Sequence, residues 1–233
     1  MTEDNEVLAG YTAWKHWSSE QFGRFSRGEA RYFAWHLARC HPTPIVRVLE
    51  IGYGNGQFMG FAKARGIEVV GIETQDELRR RAAAAGFESH GSVDELDANL
   101  SFDLIAAFDV FEHIAQDALI PLFQTLASRL RPDGVLLCRV PNGESPFGRV
   151  FQHGDLTHVS TLGLSKFRQI GAASGMEVAF YGDVPWYVMA RGPKRLMRGW
   201  LQWLVEHSVA FAYHWDVRAL SPNLVIALRK VGH

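Results

Sequence analysis

The sequence has few of the features that mark secreted, membrane-spanning or nucleic-acid-binding proteins. It contains only two cysteines in 233 residues, and Cys40 and Cys138 lie far apart, so we expect two buried thiols rather than a disulfide framework. No run of about 18 apolar residues occurs, so no membrane-spanning helix is predicted. The formal net charge is −1, which offers no basic excess for a nucleic-acid partner. The acidic start, Met1 to Glu6, lacks the layout of a signal peptide, and we therefore expect a cytoplasmic protein.

Apolar runs of strand length alternate with amphipathic helical segments through most of the chain. This alternation predicts right-handed crossovers and a parallel sheet, that is, an α/β fold. The predicted strands are Ile45–Ile51, Ile67–Glu73, Phe87–His90, Phe102–Asp109, Val135–Val140, Glu177–Tyr181 and Leu224–Leu228. The predicted helices are Thr12–Arg39 (broken near Ser18 and Gly23), Asn55–Arg65, Asp76–Ala85, Ile114–Leu130, Leu164–Ala173 and Pro193–His214. A turn is expected at 131–134, and residues 1–44 are expected to form an N-terminal helical cap.

The first predicted strand ends in a glycine-rich loop that is flanked by acidic residues. Glu50 precedes Gly52, Gly54 and Gly56, and Glu73 ends the second strand. Glycines allow a ligand to approach backbone N–H groups without a Cβ in the way. A carboxylate at the tip of the following strand accepts hydrogen bonds from ribose hydroxyls in nucleotide-binding α/β folds. The sequence therefore predicts a site for a nucleoside cofactor.

The spacing of the loop discriminates between cofactors. Dinucleotide sites have the spacing G-x-G-x-x-G, whereas the third glycine here comes one residue early and Glu50 would repel a pyrophosphate. The pattern E-x-G-x-G-x-G followed by an acidic second strand resembles the S-adenosylmethionine site of class I methyltransferases. The resemblance implies a Rossmann-like, doubly wound sheet of seven strands, mostly parallel with an antiparallel last strand, formed by residues 45–233. It also implies S-adenosylmethionine as cofactor and S-adenosylhomocysteine as product.

The same resemblance assigns roles to individual residues. Glu50 would orient the ammonium group of the cofactor, Glu73 would bind the ribose, and Thr74 and Gln75 would lie beside the adenine. Residues 91–94 resemble a loop that grips the adenine edge, although a simple surface turn would explain them equally well. The full set of expected cofactor contacts is Glu50, Gly52, Tyr53, Gly54, Asn55, Gly56, Glu73, Thr74, Gln75, Ser92, Val93, Phe108, Asp109 and Val110.

Two further segments bear on catalysis. Asp109 to His113 resembles the D-V-x-E-H segment that flanks the methyl group in these methyltransferases, although Asp109 would also serve as a helix N-cap. A long polar loop after the fifth strand carries His153, Asp155 and His158. Helix capping would explain the loop, and three close ligands without cysteine are weak grounds for a metal site, so no metal is expected. In the catalytic interpretation His158, or its rival His113, accepts a hydroxyl proton while Asp155 fixes the tautomer.

These features favour an O-methyltransferase, and they leave the acceptor open. The H-G-D-x-T-H loop resembles loops of bacterial surface-polysaccharide and sugar methyltransferases of the broad methyltransferase-23/11 groups, so a glycan or nucleotide-sugar hydroxyl is the first choice. A quinol or another small phenol is second, because enzymes of ubiquinone synthesis share the D-V-x-E-H segment. A non-catalytic cofactor-binding regulator is the alternative from another class, and a nicotinamide-dependent oxidoreductase is disfavoured by the loop spacing and by Glu50.

A helical insert is expected at about 186–218, and its composition suggests more than one role. Its first part is basic, and its body is apolar with several tryptophans. A helix with so broad an apolar face predicts a lid packed on the domain beside the N-terminal aromatic residues. The alternatives are a dimer contact, or peripheral docking of Arg191–Trp215 on the inner face of a membrane.

Overall fold

A seven-stranded sheet forms the centre of the computed structural model, which describes residues 21–40 and 44–231. The strands follow the order β3-β2-β1-β4-β5-β7-β6, and β7 runs antiparallel to β5 and to β6. The predicted fold, with its antiparallel last strand, is therefore confirmed. The strands are β1 (Arg47–Ile51), β2 (Glu68–Ile72), β3 (Glu88–His90), β4 (Phe102–Phe108), β5 (Leu130–Pro141), β6 (Met176–Gly182) and β7 (Asn223–Lys230).

Helices cover both faces of the sheet. The α-helices among the described residues are α1 (Arg27–Cys40), α2 (Gln57–Lys63), α3 (Asp76–Ala84), α4 (Gln116–Arg129), α5 (Arg149–His153), α6 (Leu164–Ala173), α7 (Trp186–Met189) and α8 (Pro193–Tyr213). Short 3-10 turns lie at Val93–Glu95, Phe111–His113 and Val217–Ala219. One core joins α4 and α6 to the sheet, and a second core on the opposite face joins α1, α2 and α3 to it.

The central strands β1 and β4 are buried on both faces, which explains their nearly continuous apolar sequence. Leu49 and Ile105 belong to the core beneath α4, whereas Val48 and Leu104 belong to the core beneath α1 and α2. The two strands pair in parallel, so their carboxyl ends lie at the same edge of the sheet. Strand order reverses between them, and in open α/β sheets a ligand binds in the crevice at such a point.

One predicted boundary was wrong. The turn expected before β5 lies inside that strand as an irregularity, where Asp133 has a φ of 62° and the pairing with β4 shifts register between Phe102 and Leu104. The chain is non-helical after the predicted break near Gly23, and α1 starts at Arg27, where Ser26 and Glu29 form a reciprocal capping box (Ser26 N to Glu29 Oε2 2.6 Å, Glu29 N to Ser26 Oγ 3.1 Å). The part of the predicted helix at 12–20 lies outside the described residues.

The segment between β6 and β7 contains α7, α8 and the last 3-10 turn. Within α8 only Gly199 and Ala210 are buried, and most apolar side chains along the rest of the helix are exposed, with Trp200 at 50% and Phe211 at 85%. A lid would need the apolar face of α8 to pack on the domain, and because this face is exposed the structure does not support the predicted lid. In the ranges 21–40 and 44–231 no helix is long and apolar enough to cross a membrane.

Both cysteines are buried and unpaired, as expected. Burial raises the pKa of the Cys40 thiol to about 12 and also raises the pKa of Cys138, so neither thiol is reactive at neutral pH.

Gly60 of α2 allows the segment before α1 to pack closely on the domain. A Cβ at Gly60 would lie 1.8 Å from the Gly23 carbonyl oxygen. We expect Gly60→Ala to lower the free energy of unfolding by roughly 1–3 kcal/mol, because the backbone must shift to remove this overlap. Urea unfolding measures the change.

Gly28→Ala is the matched control. Gly28 lies in α1, where the nearest atom to an added Cβ is Ser26 Oγ at 3.6 Å, so the change should be neutral or slightly stabilising. Equal stability of the Gly60→Ala variant and the wild type would show that Gly23 does not pack on α2 in this way.

Candidate functional site

The glycine loop after β1 has the backbone conformation that glycine favours. Gly52, Gly54 and Gly56 have φ values of 63°, 53° and 71°. A Cβ on Gly52 would lie 2.6 Å from Val110 Cγ2, so the loop needs a residue without a side chain beneath the tip of β4. This contact brings two predicted parts of the site, the glycine loop and the segment after β4, against each other.

Glu50 is a buried carboxylate whose Oε2 atom has no hydrogen-bond partner in the described residues. Loss of solvent raises the pKa of this carboxyl well above its ordinary value, and the nearby Glu73 carboxylate raises it further, against a hydrogen bond from the Met59 backbone. A buried acid without a partner is costly unless a cation or a donor reaches it. An orphaned carboxylate beside the glycine loop fits the ammonium group of the predicted cofactor.

Glu73 joins the tip of β2 to the glycine loop. Its carboxylate accepts hydrogen bonds from the backbone N–H groups of Gln75 (3.1 Å) and Gly54 (3.4 Å) and from the Thr74 hydroxyl (3.4 Å). These bonds fix the carboxylate at the carboxyl edge of the sheet. Glu73, Thr74 and Gln75 therefore lie together beside the loop, which is the arrangement that the predicted ribose site requires.

Several predicted cofactor residues use their side chains for packing instead. The Tyr53 hydroxyl hydrogen-bonds Ser89 Oγ at 2.6 Å, and burial raises its pKa to about 12. Val93 is buried in the core under α4, and the Phe108 ring packs against Phe33 and Phe58 of the other core. Val93 and Phe108 have only backbone polar atoms to offer a ligand, and the Tyr53 hydroxyl is already hydrogen-bonded to Ser89.

Asn55 and Ser92 retain polar groups for a ligand. Asn55 is buried, its amide nitrogen donates to the Gln21 carbonyl at 3.3 Å, and its Oδ1 atom has no partner in the described residues. Ser92 is half-buried and directly precedes the 3-10 turn Val93–Glu95.

Asp109 lies at the tip of β4 in a left-handed conformation, with a φ of 57°. It forms a two-point ion pair with Arg139 of β5, in which Nε donates to Oδ1 at 2.8 Å and the second contact joins Nη2 to Oδ2. The Arg139 guanidinium lies 5.6 Å from the Tyr32 ring centroid. Arg139 was not predicted as a site residue, because only the pairing of β4 with β5 places it beside Asp109.

The loop after β5 places His158 against the 3-10 turn that follows β4. The backbone N–H groups of Val159 and Ser160 both donate to the Glu112 carbonyl at 2.9 Å, which fixes the two segments together. The His113 and His158 rings meet at a centroid distance of 4.8 Å. The structure therefore joins the two rival histidines in one cluster, whereas His153 is exposed.

Asp155 does not orient His158 as predicted. Its Oδ2 atom lies 3.9 Å from His158 Nε2, and its Oδ1 atom instead accepts from the backbone and hydroxyl of Thr157, at 2.9 and 2.6 Å. Burial raises the pKa of Asp155, but the Thr157 hydrogen bonds outweigh this effect and hold the pKa below its usual value. The carbonyl of Gln152, 3.1 Å from His158 Nδ1, orients the imidazole.

Glu112 completes the cluster and was not predicted as a site residue. Its side chain is fully buried, and its Oε1 atom lies 3.9 Å from His158 Nε2. Loss of solvent raises the pKa of Glu112 to about 8, and the charges of Asp109 and Asp155 add to the rise. Burial also lowers the pKa of His113. The acid of the D-V-x-E-H segment was the available sequence signal, but its contact with His158 depends on the long loop.

Comparisons with known proteins identify the family of this chain. A family model described as a methyltransferase domain, Methyltransf_23, matches residues 13–179. A trans-aconitate 2-methyltransferase of Methylobacterium nodulans is 28% identical over 185 residues, which cover 76% of this chain and 68% of that protein. A ubiquinone biosynthesis O-methyltransferase of Mesorhizobium japonicum is 31% identical over 112 residues, or 44% of each chain.

Solved structures share the fold at low sequence identity. An S-adenosylmethionine-dependent methyltransferase from Archaeoglobus fulgidus superposes with a TM-score of 0.61 at 18% identity, covering 91% of this chain and 97% of that one. The plantazolicin methyltransferase BpumL, solved with S-adenosylhomocysteine, has a TM-score of 0.59 at 16% identity, covering 99% of this chain and 91% of that one.

The region matched by the family model contains the glycine loop, Glu73 and the segment that carries Glu112 and His113. The chain therefore belongs to the Methyltransf_23 family, and it is an S-adenosylmethionine-dependent methyltransferase.

Proposed function

We propose that this methyltransferase transfers a methyl group to a hydroxyl oxygen, and that a sugar hydroxyl of a glycan or nucleotide sugar is the acceptor. The cluster of Glu112, His113, Asp155 and His158 carries the proposal. An aliphatic hydroxyl is a very weak acid, as is water with its pKa of about 15.7, so its oxygen attacks efficiently only if a neighbouring group takes the proton. The resemblance of the 153–158 loop to those of sugar methyltransferases supports a sugar acceptor.

Two buried acids and the glycine loop are proposed to hold the cofactor. Glu50 binds the ammonium group, because its carboxylate is buried with one oxygen unpartnered. Glu73 accepts from the ribose hydroxyls, and Thr74 and Gln75 lie beside the adenine. The glycine loop at residues 52–56 is proposed to bind the methionine part through its backbone N–H groups. When bound, the cofactor supplies a methyl group that is attached to a sulfonium sulfur. After the transfer this sulfur is a neutral thioether.

The remaining predicted residues are proposed to complete the cofactor site. Asn55 Oδ1 and Ser92 offer polar atoms, and Val110 forms the wall beside the methyl group. Asp109 is proposed to act with Arg139, because the ion pair between them fixes the tip of β4.

The histidine pair is proposed to receive the acceptor proton. The carbonyls of Gln152 and Thr157 lie 3.1 Å from Nδ1 of His158 and of His113, so each neutral imidazole carries its proton on Nδ1 and its basic lone pair on Nε2. Asp155 acts through Thr157, whose hydroxyl it holds. Since the transfer is an in-line displacement, positioning of the acceptor contributes most of the remaining rate.

A quinol or another small phenol is the second candidate acceptor. The relative from Mesorhizobium japonicum carries the name of a ubiquinone biosynthesis O-methyltransferase and is 31% identical over the matched region. A phenol with a pKa near 10 needs less help to lose its proton than a sugar hydroxyl does, so the buried cluster favours the sugar. A regulator that only binds the cofactor would need no such cluster.

The exposed helix α8 is proposed to dock on an anionic membrane surface. Arg191, Lys194, Arg195 and Arg198 are exposed at its basic end. Exposed apolar side chains follow, among them Trp200 and Trp203. A basic end next to a tryptophan-rich apolar face matches the charge and depth profile of the lipid headgroup region. Such docking would bring the enzyme to acceptors that are assembled on lipid carriers.

Glu73→Gln tests the cofactor site. Removal of the charge should weaken S-adenosylhomocysteine binding by roughly 1–3 kcal/mol, because the ribose hydroxyls lose a charged acceptor. Titration calorimetry measures the affinity. Glu68→Gln is the control, since Glu68 is exposed at the opposite end of β2 and should leave affinity unchanged. Equal affinities of the wild type and the Glu73→Gln variant would remove Glu73 from the site.

Methylation assays test the acceptor. Purified protein is incubated with S-adenosylmethionine and with glycans, nucleotide sugars or quinols from the source cells, and mass spectrometry then detects the added methyl group. We expect methylated sugars, and we expect His158→Ala to lower turnover about 100-fold while S-adenosylhomocysteine affinity stays unchanged.

Each other result of the assay changes the proposal. Methylation of quinols alone would select the second candidate, and cofactor binding without any methylated product would select the regulator. Normal turnover in both the His158→Ala and His113→Ala variants would exclude the histidines as bases. The transfer would then depend only on the positioning of acceptor and cofactor.

Sedimentation with liposomes tests α8. At low salt the protein should bind vesicles that contain anionic lipid and should not bind vesicles made only of zwitterionic lipid. A Lys194→Gln, Arg195→Gln double variant should bind roughly 30-fold more weakly, because each basic residue contributes about 1 kcal/mol.

An Arg24→Gln, Arg27→Gln double variant removes the same charge from another exposed segment and should bind as the wild type does. No binding at low salt would exclude the membrane. Dimers in light scattering that dissociate when Trp200 and Trp203 become Ala would assign α8 to a second copy of the chain instead.

A further inference from the structure

Glu112 is a buried acid that nothing in the described part of the chain neutralises by direct contact. Its side chain is 0% exposed, and neither carboxylate oxygen has a hydrogen-bond partner among the described residues. An uncompensated carboxylate in the interior costs several kcal/mol, so such groups are usually protonated, paired or bound to a metal. The contact of Oε1 with His158 Nε2, at 3.9 Å, is too long for a hydrogen bond.

The two histidines present the correct nitrogen to that acid. His158 Nδ1 lies 3.1 Å from the Gln152 carbonyl, which can only accept, so Nδ1 carries the proton. Thr157 gives its own hydroxyl proton to Asp155, so His113 Nδ1 donates to the Thr157 carbonyl (3.1 Å) and to its hydroxyl oxygen (3.0 Å). Both neutral imidazoles therefore hold a lone pair on Nε2, and a backbone carbonyl behind the ring is the usual partner of a metal-bound histidine.

These residues lie close enough to share one ion. Each of Glu112, His113 and His158 offers one potential ligand atom, and these three atoms all lie within 4.8 Å of one another. Ligands of a tetrahedral zinc site bond at about 2.0–2.2 Å and lie roughly 3.5 Å apart, so the side chains need to close by about 1 Å around an ion. Asp155 Oδ2, at 3.9 Å from His158 Nε2, lies at the edge of the cluster.

We propose that Glu112, His113 and His158 form a binding site for one divalent transition-metal ion of the zinc type. Two imidazoles and one carboxylate are a ligand set that zinc accepts in catalytic sites, where a fourth position stays open for substrate or water. The loop alone gave weak grounds for a metal, because its own residues contribute only one of the three ligands. The other two come from the turn after β4, which the fold brings beneath the loop.

The inference rests on the proposed O-methyl transfer and specifies how the hydroxyl is activated. Val110, which lies over Gly52, directly precedes the turn that carries two of the ligands, so the ion would lie next to the cofactor loop. An acceptor hydroxyl at the open position would lose its proton to the Asp155 carboxylate. Its oxygen would then form the bond to the methyl carbon as the carbon–sulfur bond breaks and the electron pair stays on sulfur. With the ion bound, the histidines would serve as ligands, and Asp155 would replace them as the acceptor of the hydroxyl proton.

The site is tested by measuring how much metal the full chain retains after any affinity tag has been removed. The protein is loaded with zinc or cobalt, dialysed and analysed for metal, and the visible spectrum of the cobalt form reports nitrogen and oxygen ligands. The wild type should hold one ion per chain. Glu112→Gln preserves the shape of the side chain and should weaken binding roughly 100-fold or more, since even losses outside the ligand set cost 10–100-fold. His158→Gln, at a less buried position, should do the same.

Matched histidine variants exclude binding elsewhere on the surface. His153→Ala removes an exposed histidine of the same loop. His90→Ala removes a histidine outside the loop, whose Nε2 atom lies 2.9 Å from Glu88 Oε1. Both should keep one ion per chain. Metal content that falls in these variants but not in Glu112→Gln would overturn the site, as would a wild-type protein that retains no ion.

The two proposals fail in different ways. A protein that binds S-adenosylhomocysteine and methylates its acceptor fully in the presence of a chelator would refute the metal site and leave the methyl transfer intact. A protein that retains the ion and binds S-adenosylhomocysteine, but methylates no hydroxyl compound, would refute the proposed O-methyl transfer and leave the metal site intact.

Discussion

The packing of Val110 over Gly52 is the constraint on which the site depends. A Cβ at Gly52 would stand 2.6 Å from Val110 Cγ2, so the tip of β4 lies directly on the glycine loop. The parallel pairing of Ile51 with Ala107 places the two strand ends at the same edge, and the missing side chain allows them to close. The residue after Val110 starts the turn that carries Glu112 and His113. One contact therefore connects the glycine loop to the turn that carries Glu112 and His113.

Two buried acids, Glu50 and Glu112, lie at the ends of these neighbouring strands. Each has at least one oxygen without a hydrogen-bond partner in the described residues, and burial raises the pKa of both carboxyls. When ionised, such groups destabilise a fold unless a positive group reaches them. A cofactor with an ammonium and a sulfonium group would meet that requirement at Glu50, and a divalent ion would meet it at Glu112. The fold thus keeps at this edge two buried acids whose ionised forms would be stabilised by a positively charged ligand.

Helix α8 presents the opposite problem, because its side chains are apolar but remain in solvent. Leu201, Trp203 and Leu204 are more than 40% exposed, although a helix of this composition usually packs against its own domain. A contiguous exposed apolar surface marks an interaction site in soluble proteins. The basic residues at the start of the helix make an anionic surface the best electrostatic match.

The sequence by itself determined the succession of strands and helices along the chain and the glycine loop, and the resemblance of that loop to class I methyltransferases gave the cofactor. Those features are local, since the periodicity of apolar residues defines each element and the spacing from Glu50 to Gly56 defines the loop. The start of α1 at Arg27 was equally local, and the capping pair Ser26 and Glu29 was the signal that would have predicted it.

Only the tertiary structure decided which distant residues meet. Arg139 reaches Asp109 through the pairing of β4 with β5, and His158 reaches Glu112 because a long loop folds back and donates two hydrogen bonds to the Glu112 carbonyl. Such contacts depend on register and loop closure, which no periodicity encodes. The exposure of α8 was also hidden, because an apolar face has the same sequence pattern whether the domain covers it or solvent does.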